Sequence, residues 1–167
     1  MLEREGLITR GPQGLQVAEV SQQEMQEIFE VLAEFEELYT RRAVPHLSQG
    51  SIALMQDILE DMEQAAEADD YTRYFEANES FHRVLRDACP NRTLINLLNS
   101  LGRKTWRFRR MAMFLPGRPR RSFPEHIDIL AAVAAGDANT AGERARRSAT
   151  NAQRELLQFL QRSPEFV

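Results

Sequence analysis

The stretch Asn78-Glu79-Ser80-Phe81-His82 sets an amide and an imidazole one helical turn apart. In a helix, Phe75, Asn78, His82, Leu85 and Cys89 share one face, so both polar groups look into the core. Burying either one unpartnered costs about 1–3 kcal/mol, so other groups must meet them there. A second imidazole, His126, falls on the stripe Phe123, His126, Leu130 and Val133. A hydroxyl, Ser148, falls on the stripe Ala141, Ala145, Ser148, Ala152, Leu156 and Phe159. Two imidazoles and an oxygen donor are a reasonable ligand set for zinc, nickel or another borderline divalent ion, with positions left for water or an anion. The competing reading makes each histidine a core residue bonded to a carbonyl or a neighbouring side chain. Spacing alone leaves both open.

A second chemistry lies between Arg92 and Arg121, where nine cations stand without one Asp or Glu. Arg107 and Arg110 flank the Phe108 stripe and are expected to enter the cavity, where a guanidinium can hold a carboxylate in bidentate fashion. Otherwise the run is a solvated helix face or a subunit contact. His46, beside Pro45 in a loop, is given no role. Cys89 is the only cysteine, so no internal disulfide can form, and its place on an apolar stripe suits a packed thiol.

The elements that must position these groups follow from the pattern. At 167 residues the chain is about one domain long, with 43% apolar and 28% charged residues. No apolar run approaches the roughly 18 residues of a membrane span, and Met1-Leu2-Glu3-Arg4-Glu5-Gly6 lacks a signal peptide's basic and apolar regions, so a cytoplasmic protein is expected. A formal charge of -4 argues against strong nucleic-acid binding by this chain alone.

Residues 1–20, broken by Gly6, Gly11, Pro12 and Gly14, suggest a β-hairpin or loose arm. Residues 21–163 read as helices. Ser21 to Glu24 has capping-box spacing for a first helix with the stripe Met25, Ile28, Phe29, Leu32, Phe35 and Leu38, stopped by Pro45. A second helix follows the Ser48–Gly50 turn, Asp70 caps the third, and Asn91 caps the fourth, which Gly117 and Pro119 end. Ser122-Phe123-Pro124-Glu125 reads as a capping box that starts the fifth, and Gly136-Asp137 as the turn into the sixth. The expected fold is all-α, an antiparallel bundle of about six helices preceded by a short β-hairpin or arm. Gly-rich phosphate loops, Ser-His-Asp signatures and paired zinc motifs are absent.

This pattern resembles the ligand-binding domains of GntR-type bacterial transcription regulators, in the branch named after the fatty-acid-responsive regulator FadR, the FCD type. Asn78-Glu79-Ser80-Phe81-His82 stands where that family has Asp or Asn, three residues, then His, and a helix opening at Asn91 follows as it does there. Glu125 to Val133 looks like the family's second histidine segment, and Gly136-Asp137 with Ala141 like the turn after it. Leu2 to Ile8 and Gly14 to Val17 look like the end of a winged helix-turn-helix, whose recognition helix is not in this sequence.

The resemblance implies an effector-sensing and dimerisation domain, a homodimer that meets operator DNA through an N-terminal head and binds a small carboxylate metabolite inside the bundle. Asn78, His82 and His126 would line the pocket or hold the zinc or nickel ion, Arg107 or Arg110 would meet the anion, and Ser148 would face the same chamber. Two positions depart from the family. Ser148 stands where a third histidine is usual and Leu32 where an arginine is common, so metal occupancy is expected to be weak or absent. The rival is a helical-bundle metal-dependent hydrolase using His82 and His126. Against it, the stripes offer no third strong ligand and no buried Asp or Glu as base.

Overall fold

The computed structural model describes residues 8–11, 14–17 and 22–162. Strand β1, Ile8–Gly11, pairs antiparallel with β2, Gly14–Val17, with Ile8 opposite Val17 and Gly11 opposite Gly14. Six helices follow: α1 Gln22–Ala43, α2 Gln49–Glu67, α3 Tyr71–Ala88, α4 Arg92–Met113, α5 Arg118–Ala134 and α6 Ala138–Arg162. They form the all-α bundle, and among the described residues none is long and apolar enough to cross a membrane. Residues Leu2–Leu7 of the expected wing and Ser21 of the first expected capping box lie outside the described residues.

Local chemistry sets most of the boundaries. Pro45 has no N–H to continue α1, and residues Val44–His46 tighten into a 3-10 turn. Ser48, Asp70 and Asn91 each accept from the backbone N–H three residues on, at 3.0, 3.0 and 3.1 Å, and so open α2, α3 and α4. Gly136 takes φ +70, which a side chain would resist, and Asp137 accepts from Thr140 N at 3.0 Å to start α6.

The start of α5 differs from expectation. The helix opens at Arg118 behind Gly117, which takes φ +69, with Pro119 in the first turn, so Ser122 is an interior residue and no cap. A proline in the first turn sacrifices nothing, and Pro119 meets that condition before Pro124 can. Pro124 is carried inside the helix instead.

Helix α1 packs most extensively on α6, α5 bridges α6 and α2, and α2 lies along α3. The main core joins Tyr39, Met55, Met62, Tyr74, Phe81, Leu85 and Ile129, all fully buried. A second cluster of Met25, Phe108, Ala112, Leu115, Leu156 and Leu160 ties α4 to α1 and α6. The α1–α6 seam is close because Gly142 has no side chain: a Cβ there would lie 2.9 Å from the Glu37 carbonyl oxygen and 3.1 Å from Glu37 Cγ. Gly142→Ala is therefore expected to destabilise the fold by about 1–2 kcal/mol, because overpacking a backbone contact outweighs the gain in helix propensity. Urea unfolding measures this, and a variant as stable as the parent would show that the seam yields.

Candidate functional site

Asn78, His82, His126 and Ser148 are all buried. The spacing of α3 turns Asn78 and His82 onto the face that carries Tyr74, Phe81 and Leu85, while α5 brings His126 opposite. The two Nε2 atoms lie 3.2 Å apart, with the rings nearly perpendicular at 79°. His126 Nδ1 is 2.9 Å from the Ser122 carbonyl oxygen, which can only accept, so Nδ1 carries the proton and Nε2 is left as an acceptor. His82 Nε2–H then donates to it.

On its other side, His82 Nδ1 lies 3.0 Å from the Tyr39 hydroxyl and 3.3 Å from Glu36 Oε2, and Tyr39 donates to the same Glu36 oxygen. Burial pushes the Glu36 carboxyl upward, but the charge of His82 and its hydrogen bond outweigh that and hold it at about 2. Burial and the Glu36 charge keep the Tyr39 hydroxyl protonated. His126 goes the opposite way for an imidazole: desolvation, then the neighbouring His82, lower it to about 3, so it is neutral in the fold.

A cavity of about 80 Å³ opens beside this chain, lined by Asn78, His82, His126 and Ser148 together with Phe29, Leu32, Phe75, Ala112 and Met113. Arg118 also lines it and is 1% exposed, yet its charge is met from two helices. Glu125 lies 2.8 Å from Nη2 and Glu155 3.0 Å from Nη1. Glu125 in turn accepts from Ser148 at 2.8 Å and Asn151 at 2.8 Å. At the cavity's outer wall Arg109 donates to Glu79 at 2.7 Å.

Two expectations are corrected. Arg107 and Arg110 do not enter the cavity: both are exposed, Arg107 stacking over Phe108 at 4.4 Å and Arg110 lying between Trp106 and Phe114. The cations that line it are Arg109 and Arg118. A helix turns 100° per residue, and the inward phase set by Phe108 and Ala112 brings Arg109 to the cavity and leaves its neighbours outside. A buried carboxylate also exists, since Glu36 stands four residues after Leu32 and three before Tyr39, on the buried face of α1. That spacing was the signal for it. Arg118 had no such signal, because it falls where a helix end was expected.

The FCD domain model matches residues 27–151. The chain belongs to that family, as an FCD-type C-terminal domain of the GntR class. Among solved structures it is similar to E. coli McbR/YncC, at 21% identity and TM-score 0.82 over 94% of this chain and 76% of that one. It is also similar to Lar, described as controlling expression of the Listeria monocytogenes agr system and mediating virulence, at 13% identity and TM-score 0.70 over 94% and 75% of the two chains. A third similar structure is Streptococcus agalactiae GntR, at 15% identity and TM-score 0.62 over 92% and 77%. At these identities the likeness is one of fold. The chain matches no curated protein in sequence.

The buried chain makes the fold acid-sensitive. An unfolded His126 takes up a proton as pH falls below 6.5, while the folded one resists until about 3, so stability present above 6.5 is lost across that window. Glu36 adds a loss between 4.5 and about 2, where the unfolded carboxyl protonates first. His126→Phe is expected to lower stability at neutral pH but to flatten the slope between pH 6.5 and 4.5 by about 1.4 kcal/mol per unit. Urea unfolding across a pH series reads this out. An unchanged slope would mean that the imidazole is not held neutral.

Proposed function

We propose that this chain is the effector-sensing and dimerisation domain of a DNA-binding transcription regulator, with residues 1–20 belonging to the end of a winged helix-turn-helix head. The observation that carries the reading is an unsaturated cavity. Among the described residues, Asn78 Oδ1 and Arg118 Nε are buried without a hydrogen-bond partner, and both residues line the same apolar-walled space. Leaving a donor and an acceptor dry and unpaired costs about 1–3 kcal/mol each, a cost that a guest molecule offering both functions removes. The space is about half of the ~150 Å³ that accommodates benzene in an engineered cavity, so the buried part of the guest is small, on the order of a few heavy atoms.

The effector class we propose is a small organic acid, acting on a homodimer whose two heads contact operator DNA. Binding alters operator affinity only where the effector favours one arrangement of the heads over the other. Glu36 is committed to Tyr39 and His82, which leaves it a structural partner of the imidazole and favours a regulator over a hydrolase.

A divalent ion fits the site in part. The 3.2 Å between the two Nε2 atoms is close to the separation of two nitrogens bound about 2.0–2.1 Å from one ion. Each Nδ1 is already held, by Glu36 or by the Ser122 carbonyl, in the manner that orients metal-bound imidazoles, and Asn78 Oδ1 is unengaged. His82, His126 and Asn78 would hold the ion, which supplies a positive charge for a ligand oxygen. The Ser148 hydroxyl is spent on Glu125, and among the described residues no three His, Cys, Asp or Glu side chains are placed to hold a metal ion together. Zinc or nickel is therefore expected at well under one equivalent in protein purified without added ions, and Ser148→His should raise it. Stoichiometric metal in the parent chain would overturn this.

The sensor reading is tested by a thermal-shift screen of small organic acids. An effector at a hundred times its Kd stabilises by about 2.7 kcal/mol, several degrees for a domain of this size. The same compound must then change operator binding by the intact regulator in a gel shift. A screen in which no acid moves the melting temperature sinks the reading.

A further inference from the structure

The inner cavity has one thin wall. An open groove of about 600 Å³ runs along the outer face of α3 and α4, and Glu79, Leu98 and Arg109 line both spaces. Helices α3 and α4 touch at few points. The cavity's other borders are held more tightly. Gly142 lets α1 and α6 meet at backbone distance, Arg118 clamps α5 to α6 through Glu125 and Glu155, and the Tyr39–His82 contact binds α1 to α3. At the corner between α4 and α5 the Gly117 N–H donates to the Tyr71 hydroxyl at 3.1 Å, and Phe75 packs against both Trp106 and Phe114. What stands between cavity and groove is one leucine and one ion pair.

That pair can part without stranding its acid. Arg109 reaches Glu79 Oε1 from α4 at 2.7 Å, whereas Arg86, on the same helix as Glu79, lies 3.5 Å from Oε2 and donates to the Glu79 carbonyl oxygen at 3.3 Å. When Arg109 leaves, the carboxylate keeps a guanidinium, and Arg109, already more than a quarter exposed, passes into water. A broken ion pair is expensive when it leaves a buried charge uncompensated, and here it leaves none. An exposed pair by itself contributes little.

We propose that the seam between α3 and α4 is the gate of the inner cavity. The Glu79–Arg109 pair is its latch, Leu98 its apolar seal, and Arg86 the cation that holds Glu79 while the latch is open. The gate rests on the sensor reading only for its purpose, since a guest has to reach the chamber, and it is independent of which guest does so.

A thiol placed inside the cavity reads the gate directly. Ala112→Cys puts one on the cavity wall, while Cys89, the only natural cysteine and fully buried in the main core, reports opening of the whole fold. The full chain is treated with methyl methanethiosulfonate, a small uncharged reagent, under native conditions, and labelling at each position is followed by peptide mass spectrometry. The new thiol is expected to react faster than Cys89. Arg109→Gln should speed its labelling about twofold to fivefold, the range of an exposed pair. Potassium chloride at about 1 M should speed it with Arg109 in place and have no such effect in Arg109→Gln. Arg86→Gln should slow it, because Glu79 then lacks a second cation and holds Arg109 more firmly. Cys89 should respond to none of these changes. Ser148→Cys, a buried one-atom exchange on the α6 wall, repeats the measurement if Ala112→Cys does not fold. Labelling unmoved by Arg109→Gln, labelling sped by Arg86→Gln as it is by Arg109→Gln, or a cavity thiol that follows Cys89 in every variant overturns the gate and leaves the sensor reading standing. A gate that opens as described, in a chain that no organic acid stabilises, overturns the sensor reading alone.

Discussion

The guanidinium of Arg118 is fully buried, and the arrangement of α5 against α6 follows from the need to neutralise it there. Dehydrating such a charge costs several kcal/mol, recovered only with close partners of good geometry. Glu125, seven residues along α5 and so on the same face, supplies one, and Glu155 on α6 supplies the other. Glu125 also accepts from Ser148 and Asn151, which fixes the rotation of α6 against α5. With α5 held in that rotation, the residue after Glu125 faces inward, and His126 meets His82 edge to face. Removing the cation would therefore leave Glu125 without its guanidinium, while Glu155 keeps Arg121 at 2.6 Å, and would release the register that places the imidazoles.

The second buried polar system, Glu36 with Tyr39, His82 and His126, crosses from α1 to α3 to α5. Each member is satisfied by the next, and the chain ends on a backbone carbonyl. Such a network is costly when half made and specific when complete. Between these two systems lies the cavity, and two of the residues that line it, Asn78 and Arg118, each keep one unpaired buried atom, Oδ1 and Nε, as Thr40 Oγ1 and the Tyr74 hydroxyl do elsewhere among the described residues.

Much of this was legible in the sequence because helical periodicity is a strong signal. The stripe through Asn78 and His82 placed both inside, and the Asp70 and Asn91 caps fixed the ends of α3 and α4. The fifth helix was misplaced because two prolines competed for its first turn, and a capping-box spacing at Ser122 looked sufficient without knowledge of Gly117's left-handed backbone. That error hid Arg118. Glu36 was legible from its phase between Leu32 and Tyr39, yet composition biases any reader to send a glutamate to the surface. Arg107 and Arg110 show the limit of proximity in sequence: Arg107 stacks over the Phe108 ring from outside the cavity, and the α4 cation that lines the cavity is Arg109, on the other side of Phe108 in sequence.

Helix α4 is the element best placed to couple occupancy to shape. It is anchored to α1 and α6 through Phe108, Ala112 and Leu115 but meets α3 sparsely, across a gap closed by Leu98 and the Glu79–Arg109 pair. A guest touching both walls of that gap gains contacts only at one separation of α3 and α4, and that is the differential affinity a sensor requires. The same reasoning explains why an unsaturated cavity can persist: the stability forgone by two unpaired atoms is the free energy available to favour the occupied arrangement over the empty one.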